Sequence, residues 1–374
     1  MAYFDHAATT PMRQCAIDAW VEYSAQLNPG GQYRSGREAS AVLAQAREDI
    51  AEALGADPVE VVFTGSGTEA NNIAVRGLFR ACANERIVAS PIEHPAVLET
   101  VKSLAVTEGA KAQWLPVNTA GVVNDLGALD APAAVAALMW ANNETGAIQP
   151  VAQAVARAAS AGTPLHVDAV QVVGKQPVDF HELGMTTLAA SAHKFGGPRG
   201  MGILLARRSP APAATLTGGG QERGLRPGTV DVASAVATAV ALREAVAEME
   251  SERVREASLR DELVRGVLAA VPDARLTTTS AVLDSHAHFL FPGANGDALI
   301  MLLDARGIEA STGSACAAGV NRASHVLEAM GVPQVDAAGA LRLSLGRTTT
   351  AHDVEKVVRE IVDVVKRARV AGAL

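Results

Sequence analysis

From about residue 37 the chain alternates between two hydrophobic periods. Apolar residues recurring three and four apart mark amphipathic helices at 38–54 and 69–80, and short, nearly continuous apolar runs at 60–63 and 86–89 mark strands beside them. The alternation continues through strands at 113–117, 134–140 and 164–167 and a helix near 150–161. Strands with no polar face are buried on both sides, so this half of the chain predicts a mostly parallel sheet covered by helices on both faces. A long charged helix at 232–270 then leads to a second βα region, with strands at 286–291 and 340–345 and helices at 297–304 and 351–369. The change of pattern puts a domain boundary near residue 245. The expected division is a large domain of 13–245 and a smaller α/β domain built from 1–12 and 246–374. No internal repeat or low-complexity tract interrupts either region.

The 374 residues are enough for two domains with a well-buried core, and 49% hydrophobic with 19% charged residues argues against disorder. A net charge of −8, with no basic run interleaved with aromatics, argues against a nucleic-acid footprint. The opening Met-Ala-Tyr-Phe-Asp-His lacks a basic segment followed by an apolar one, and no stretch reaches the length of a membrane span, so the chain reads as cytoplasmic.

Three cysteines, at 15, 82 and 316, form neither a CxxC nor an even framework, so each is expected as a free thiol. Cys15 and Cys82 lie in helical patterns beside alanines and read as small buried hydrophobes. Cys316 sits in Ser311-Thr-Gly-Ser-Ala-Cys-Ala-Ala-Gly319, whose tiny side chains bury little surface and leave a thiol accessible.

Arginine carries most of the positive charge, for only six lysines are present. Lys102, Lys111, Lys175, Lys356 and Lys366 fall on polar helix faces or in turns, but Lys194 follows the mostly apolar run 185–192 and precedes a glycine-rich turn. An amine at such a place can be desolvated and form a Schiff base, which a guanidinium cannot do; a lysine snorkelling from a strand end would look the same.

Other strand ends carry polar groups, where open α/β sheets hold their ligands. Glu60 to Asn72 reads as strand, small-residue turn and helix start, with free amides and the Thr68 hydroxyl available to a phosphate, or simply as a capped turn. Asp168 ends an apolar run with Gln171 three residues on, fit either for a cofactor's protonated ring nitrogen or for an ordinary salt bridge or cap. Ser191 and His193 flank Lys194 as further phosphate donors, and His94 precedes a helix as a stacking and proton-transfer group or as its cap. Asn142 and Asn143 offer amides after another strand, or form a turn. His286 and His288 share a strand face, but no third ligand accompanies them, so no metal site is predicted.

Together Tyr3-Phe-Asp-His-Ala-Ala-Thr-Thr-Pro11, Gly67-Thr-Glu-Ala-Asn-Asn72, Glu93-His94, Asn142-Asn-Glu144, Asp168-Ala-Val-Gln171, Ser191-Ala-His-Lys194, the Gly218 to Thr229 segment, Ser311-Thr-Gly-Ser-Ala-Cys316 and Leu341-Arg342 resemble the pyridoxal-phosphate cysteine desulfurases, a branch of the class-V aminotransferase family. The match spans nearly the whole chain and is closest to the NifS/IscS type, with Thr312 where that type usually has serine. The resemblance implies a homodimer of fold type I with a seven-stranded-type sheet. It also implies that Lys194 holds pyridoxal 5'-phosphate and moves protons, that His94 stacks on its ring, that Asp168 binds the ring nitrogen and that Gln171 binds the phenolic oxygen. Gly67, Thr68, Ser191 and His193 would hold the phosphate, with Thr229 reaching in from the neighbouring subunit. Asn143 and Arg342 would engage substrate, Arg342 forking the α-carboxylate, and Cys316 on a loop of about 311–322 would be the nucleophile.

The implied activity converts L-cysteine to L-alanine and leaves a persulfide on Cys316 for sulfur acceptors in iron-sulfur cluster assembly, tRNA thiolation or cofactor thiolation. An aminotransferase or a selenocysteine-lyase-type β-lyase on the same fold would share Lys194 and Asp168 but would need no such cysteine. A non-catalytic scaffold for sulfur-transfer partners would bind no cofactor. One departure from the family pattern is Asn28-Pro-Gly-Gly-Gln-Tyr33, which replaces two serines and a histidine. Another is an end at Leu374, soon after the last helix, where relatives serving an iron-sulfur scaffold often run on.

Overall fold

The computed structural model describes residues 1–279, 281–313 and 324–372. Strand β1 (Ala2–Tyr3) pairs in parallel with β11 (Ile308–Glu309). Strands β2 (Val61–Thr64), β3 (Arg86–Ala89), β4 (Lys111–Trp114), β5 (Val135–Met139), β6 (Leu165–Asp168), β7 (Thr187–Ser191) and β8 (Gly202–Ala206) form one seven-stranded sheet in the order β2-β8-β7-β6-β5-β3-β4. Only β8 runs antiparallel to its neighbours, so the sheet is mostly parallel, as the uninterrupted apolar runs require. Strands β9 (Arg275–Leu276), β10 (His286–Leu290) and β12 (Ala340–Ser344) form a small antiparallel sheet.

The strands β2, β5, β6, β7 and β8 are buried along their whole length, while β4 at the sheet edge is exposed throughout. Helices cover the sheet where the sequence supplies start signals. Helix α3 (Gly67–Arg80) is capped by Ser66, whose hydroxyl accepts from Glu69 N at 3.1 Å, and α4 (Pro95–Glu108) begins with a proline at its first position. Helix α7 (Val232–Ala270) is continuous, with Asp231 capping Ser234 N, so the predicted boundary near 245 falls inside a helix. Its first half, Ala235 to Ala245, packs in the core of the large sheet; Leu263 and Val267 pack with Phe4, β10, β12 and the C-terminal helix (Ala351–Gly372). One rigid rod thus carries both cores.

Besides several short strands and helices, the sequence left unread helix α1 (Gln14–Tyr23) and strand β8. Helix α1 keeps Ile17, Trp20 and Val21 exposed, which blurs its apolar stripe. Strand β8 is a run of five buried residues just after the glycine turn. Among the described residues, no helix is long and apolar enough to cross a membrane.

Candidate active site

Strands β2, β3, β5, β6 and β7 all end on one edge of the sheet, which brings the turns after them together. Lys194 lies one short turn beyond β7, and the N-terminal segment crosses it: Thr10 N donates to His193 O and Arg13 N to Gly196 O. The Lys194 Nζ donates to Ala7 O at 2.5 Å and Ala8 O at 2.8 Å. Burial, then the neighbouring Lys175 and Arg342 charges, bring its pKa down to about 7, against the pull of Asp5 and Asp168. A near-neutral amine at ordinary pH is what covalent chemistry needs.

Asp168 ends β6 at the same edge. Its Oδ1 accepts from Val170 N at 3.0 Å and its Oδ2 from Asn71 Nδ2 at 2.8 Å. Asn71 Oδ1 lies 2.7 Å from His166 Nε2, and His166 Nδ1 lies 2.9 Å from Thr187 Oγ1. Burial pushes His166 down to about 3, so the ring is neutral. Since the Asn71 amide donates to the carboxylate, its oxygen must accept, which fixes the His166 proton on Nε2 and makes Thr187 the donor to Nδ1. This buried chain of Thr187, His166, Asn71 and Asp168 was not legible in the sequence. Asn71 stood in a motif, but nothing local marked His166 as its partner.

Gln171 is buried, donates Nε2 to Ala7 O at 3.0 Å and leaves Oε1 without a partner. His94 caps α4, its Nδ1 accepting from Ala96 N at 3.1 Å. Neutral His94 therefore carries its proton on Nε2, and burial depresses its pKa with Asp168 and Lys194 as charged neighbours. The capping reading of His94 holds, and the same ring has Asp168 and Lys194 as charged neighbours. Beside it Glu93, which the sequence offered only as part of a dipeptide, is fully buried. Its Oε1 accepts from Met139 N at 2.8 Å, Oε2 has no partner, and burial raises its pKa to about 8.

At the other end of the lysine, the start of α3 meets β7. A side chain at Gly67 would put its Cβ 2.8 Å from Val170 Cγ2 and 3.2 Å from Ser191 Cβ, so only glycine lets the helix N-terminus approach the strand end. Thr68 is exposed on that first turn and Ser191 is buried beneath it. His193 Nδ1 lies 3.1 Å from Thr9 Oγ1, and burial with the Lys194 and Arg199 charges holds its pKa near 4. Thr229 is not part of this group. It lines a surface cavity with Tyr23, Leu27 and Asn28.

Arg342, in β12, enters from the small sheet. Its guanidinium donates through Nη1 to Asn143 O at 2.7 Å and through Nη2 to Asp5 Oδ1 at 2.5 Å, while Nε is buried without a partner. The described contact of Asn143 is thus through its backbone. The Asn142 side chain shapes the turn, accepting from Glu144 N and Thr145 N at 2.9 and 3.0 Å.

Cys316 lies outside the described residues, as does the expected 311–322 loop from residue 314 on. Both described ends of that stretch meet Glu144: Ser324 Oγ donates to its Oε2 at 2.5 Å, and Gly313 packs against its side chain. Ser311 pairs with Arg342 on the neighbouring strand. Two sequence expectations need correction. Cys82 is exposed in a bend because the α3 helix stops at Arg80, and Cys15 is half-buried at the margin of the Ala16 and Ala19 face that α1 buries. Lys175 is in a turn, yet its Nζ points inward, is buried without a hydrogen bond and lines a cavity with Lys194, His6 and Glu256.

Comparison with known proteins agrees with this architecture. The family model described as Aminotransferase class-V matches residues 2–357. An IscS-like cysteine desulfurase of Mycobacterium tuberculosis is 46% identical, the alignment covering 100% of this chain and 98% of that protein. Among solved structures, a NifS-like protein superposes with a TM-score of 0.91 at 34% identity, covering 98% of this chain and 100% of that one. SspA, solved in complex with cysteine, gives a TM-score of 0.81 at 29% identity over 94% of this chain and 100% of that one.

Proposed function

The chain belongs to the class-V aminotransferases and is a cysteine desulfurase, and on that premise we propose that it holds pyridoxal 5'-phosphate at Lys194 and collects the sulfur of L-cysteine on Cys316. Members of this family depend on that cofactor, and the residues at the sheet edge suit it. The near-neutral Lys194 amine suits a Schiff base, the buried Asp168 carboxylate a protonated ring nitrogen, and the close approach of α3 to Ser191 a phosphate. The orphaned Gln171 Oε1 is a further polar atom without a protein partner in that space. Bound there, the cofactor supplies an electron sink that makes the substrate's Cα proton and Cβ–S bond labile.

The rest falls to side chains of the chain itself. Arg342 orients the α-carboxylate, with the Asn143 carbonyl steadying its guanidinium at 2.7 Å. Lys194 would take the Cα proton, which its pKa near 7 permits at neutral pH. His94 holds a proton on Nε2 beside Asp168 and Lys194. The Cys316 thiolate sulfur bonds to the substrate sulfur as the Cβ–S bond breaks. The electron pair of that bond stays with carbon, which is protonated to give L-alanine, and the enzyme keeps the persulfide.

The observation that carries the cysteine assignment is that both described ends of the 314–323 stretch lie at Glu144, Ser324 by a hydrogen bond and Gly313 by close approach, next to Asn143 and Arg342. A Cys316→Ala variant given L-cysteine and a thiol reductant is expected to retain cofactor binding but release no catalytic sulfide. Wild type, alkylated after substrate, is expected to show one extra sulfur at Cys316 by mass spectrometry. Sulfide release undiminished in the variant would sink the persulfide route.

The same reading includes a homodimer, with Thr229 serving the neighbouring site. Its support is the exposed apolar side chains Ile17, Trp20, Val21, Leu27 and Tyr33, of which Leu27 lines the same cavity as Thr229. The stored sulfur would pass to a protein acceptor of iron-sulfur assembly or thiolation. A reducing, cytoplasmic setting belongs to this reading too, since it keeps Cys316 a thiol between turnovers.

A further inference from the structure

The Arg342 side chain is 3% exposed, so its charge needs a partner inside the protein. Nε is sealed off without one, which leaves the two terminal nitrogens to face a ligand. Nη1 is engaged by Asn143 O and Nη2 by Asp5 Oδ1 at 2.5 Å. A carboxylate arriving at this fork therefore meets a carboxylate already there. One guanidinium compensates one negative charge, and a second carboxylate within a few ångströms in a poorly solvated site is strongly disfavoured.

The Asp5 backbone is firmly held. Its carbonyl accepts from Tyr3 Oη at 3.0 Å, Ala8 N at 3.0 Å and Thr9 N at 3.3 Å, and the residue bridges to Ser344 on the strand of Arg342. The side chain is freer. Among the described residues its carboxylate has no hydrogen bond except to Arg342, and it is 23% exposed, so a rotamer change takes it to water without moving the chain.

We propose that Asp5 is a resident carboxylate that occupies Arg342 between turnovers, yields it to the α-carboxylate of the incoming amino acid, and competes it away again when alanine leaves. This rests on the reading that Arg342 takes the α-carboxylate. Asp5 would then set how tightly any α-amino acid is held, trading affinity for product release.

The test is calorimetric titration of the holoenzyme with L-alanine, which keeps the carboxylate, and ethylamine, which is L-alanine without it. Removing the competitor in Asp5→Asn is expected to tighten L-alanine roughly 2- to 5-fold, the range of a partly exposed ion pair, and to leave ethylamine unchanged. Asp5→Glu keeps the charge and is expected to stay near wild type, which separates competition from a general disturbance of the strand. Arg342→Gln is expected to weaken L-alanine only. If Arg342→Gln weakens L-alanine while Asp5→Asn leaves it unchanged or also weakens it, Asp5 merely orients the arginine and the proposal fails. If Arg342→Gln has no effect on L-alanine, the carboxylate assignment of Arg342 falls, and the proposal with it.

Discussion

At the scale of single residues the chemistry turns on how far burial moves ordinary pKa values. Lys194 is depressed to about 7 chiefly by desolvation, with Lys175 and Arg342 adding repulsion. For a base held neutral in the fold, the nucleophilic fraction grows as pH rises through the depressed value. Competitive acetylation of the apoenzyme, read at the Lys194 peptide by mass spectrometry, is therefore expected to rise with a midpoint near pH 7. A midpoint near the ordinary lysine value of ~10.4 would show that the amine is not desolvated. The sequence marked Lys194 by its scarcity and its neighbours, and Asp168 by its place after an apolar run. It gave no sign of Glu93 burial or of the His166 and Asn71 relay behind Asp168, because both arise from contacts between residues far apart along the chain. Lys175 lies in a turn as read, but no local pattern shows that another element, here α7 with Glu256, closes over its amine.

At the scale of elements, most strands and helices were legible because their apolar period is strong, and β3 and α7 match their predicted limits. Boundaries moved where caps intervened, as at α3, which starts two residues early behind Ser66. That early start matters, since it puts Gly67 rather than Glu69 against β7. Gly67→Ala would force a Cβ to 2.8 Å from Val170 Cγ2 and push the helix N-terminus away from Ser191. Such overpacking costs about 1–3 kcal/mol, so pyridoxal-phosphate affinity measured by spectral titration of the apoenzyme is expected to fall roughly 10-fold or more. An unchanged affinity would mean that the α3 N-terminus does not hold the phosphate.

At the scale of the whole molecule, the N-terminal segment ties the parts together. Phe4 packs in the small core, Asp5 bridges to Ser344, and Ala7 to Thr10 lie over Lys194. A proposed second copy would cover α1, whose Trp20 and Val21 are 43% and 61% exposed. Val21→Asp is expected to shift the sedimentation mass from twice 38.5 kDa toward the single chain and to lower activity with it, since Thr229 would then have no neighbouring site to serve. Wild type sedimenting as a single chain would overturn the dimer. The sequence by itself determined the layered α/β architecture and the family, and singled out Lys194 as a candidate Schiff-base amine, because periodicity and strand-end motifs are local and survive without coordinates. Only the tertiary structure decided that Asp5 sits on Arg342, that Asn71 and His166 stand behind Asp168 and that Glu144 meets both described ends of the cysteine segment. Those pairings join residues up to 337 positions apart, and no local pattern encodes which distant side chain a buried charge will find.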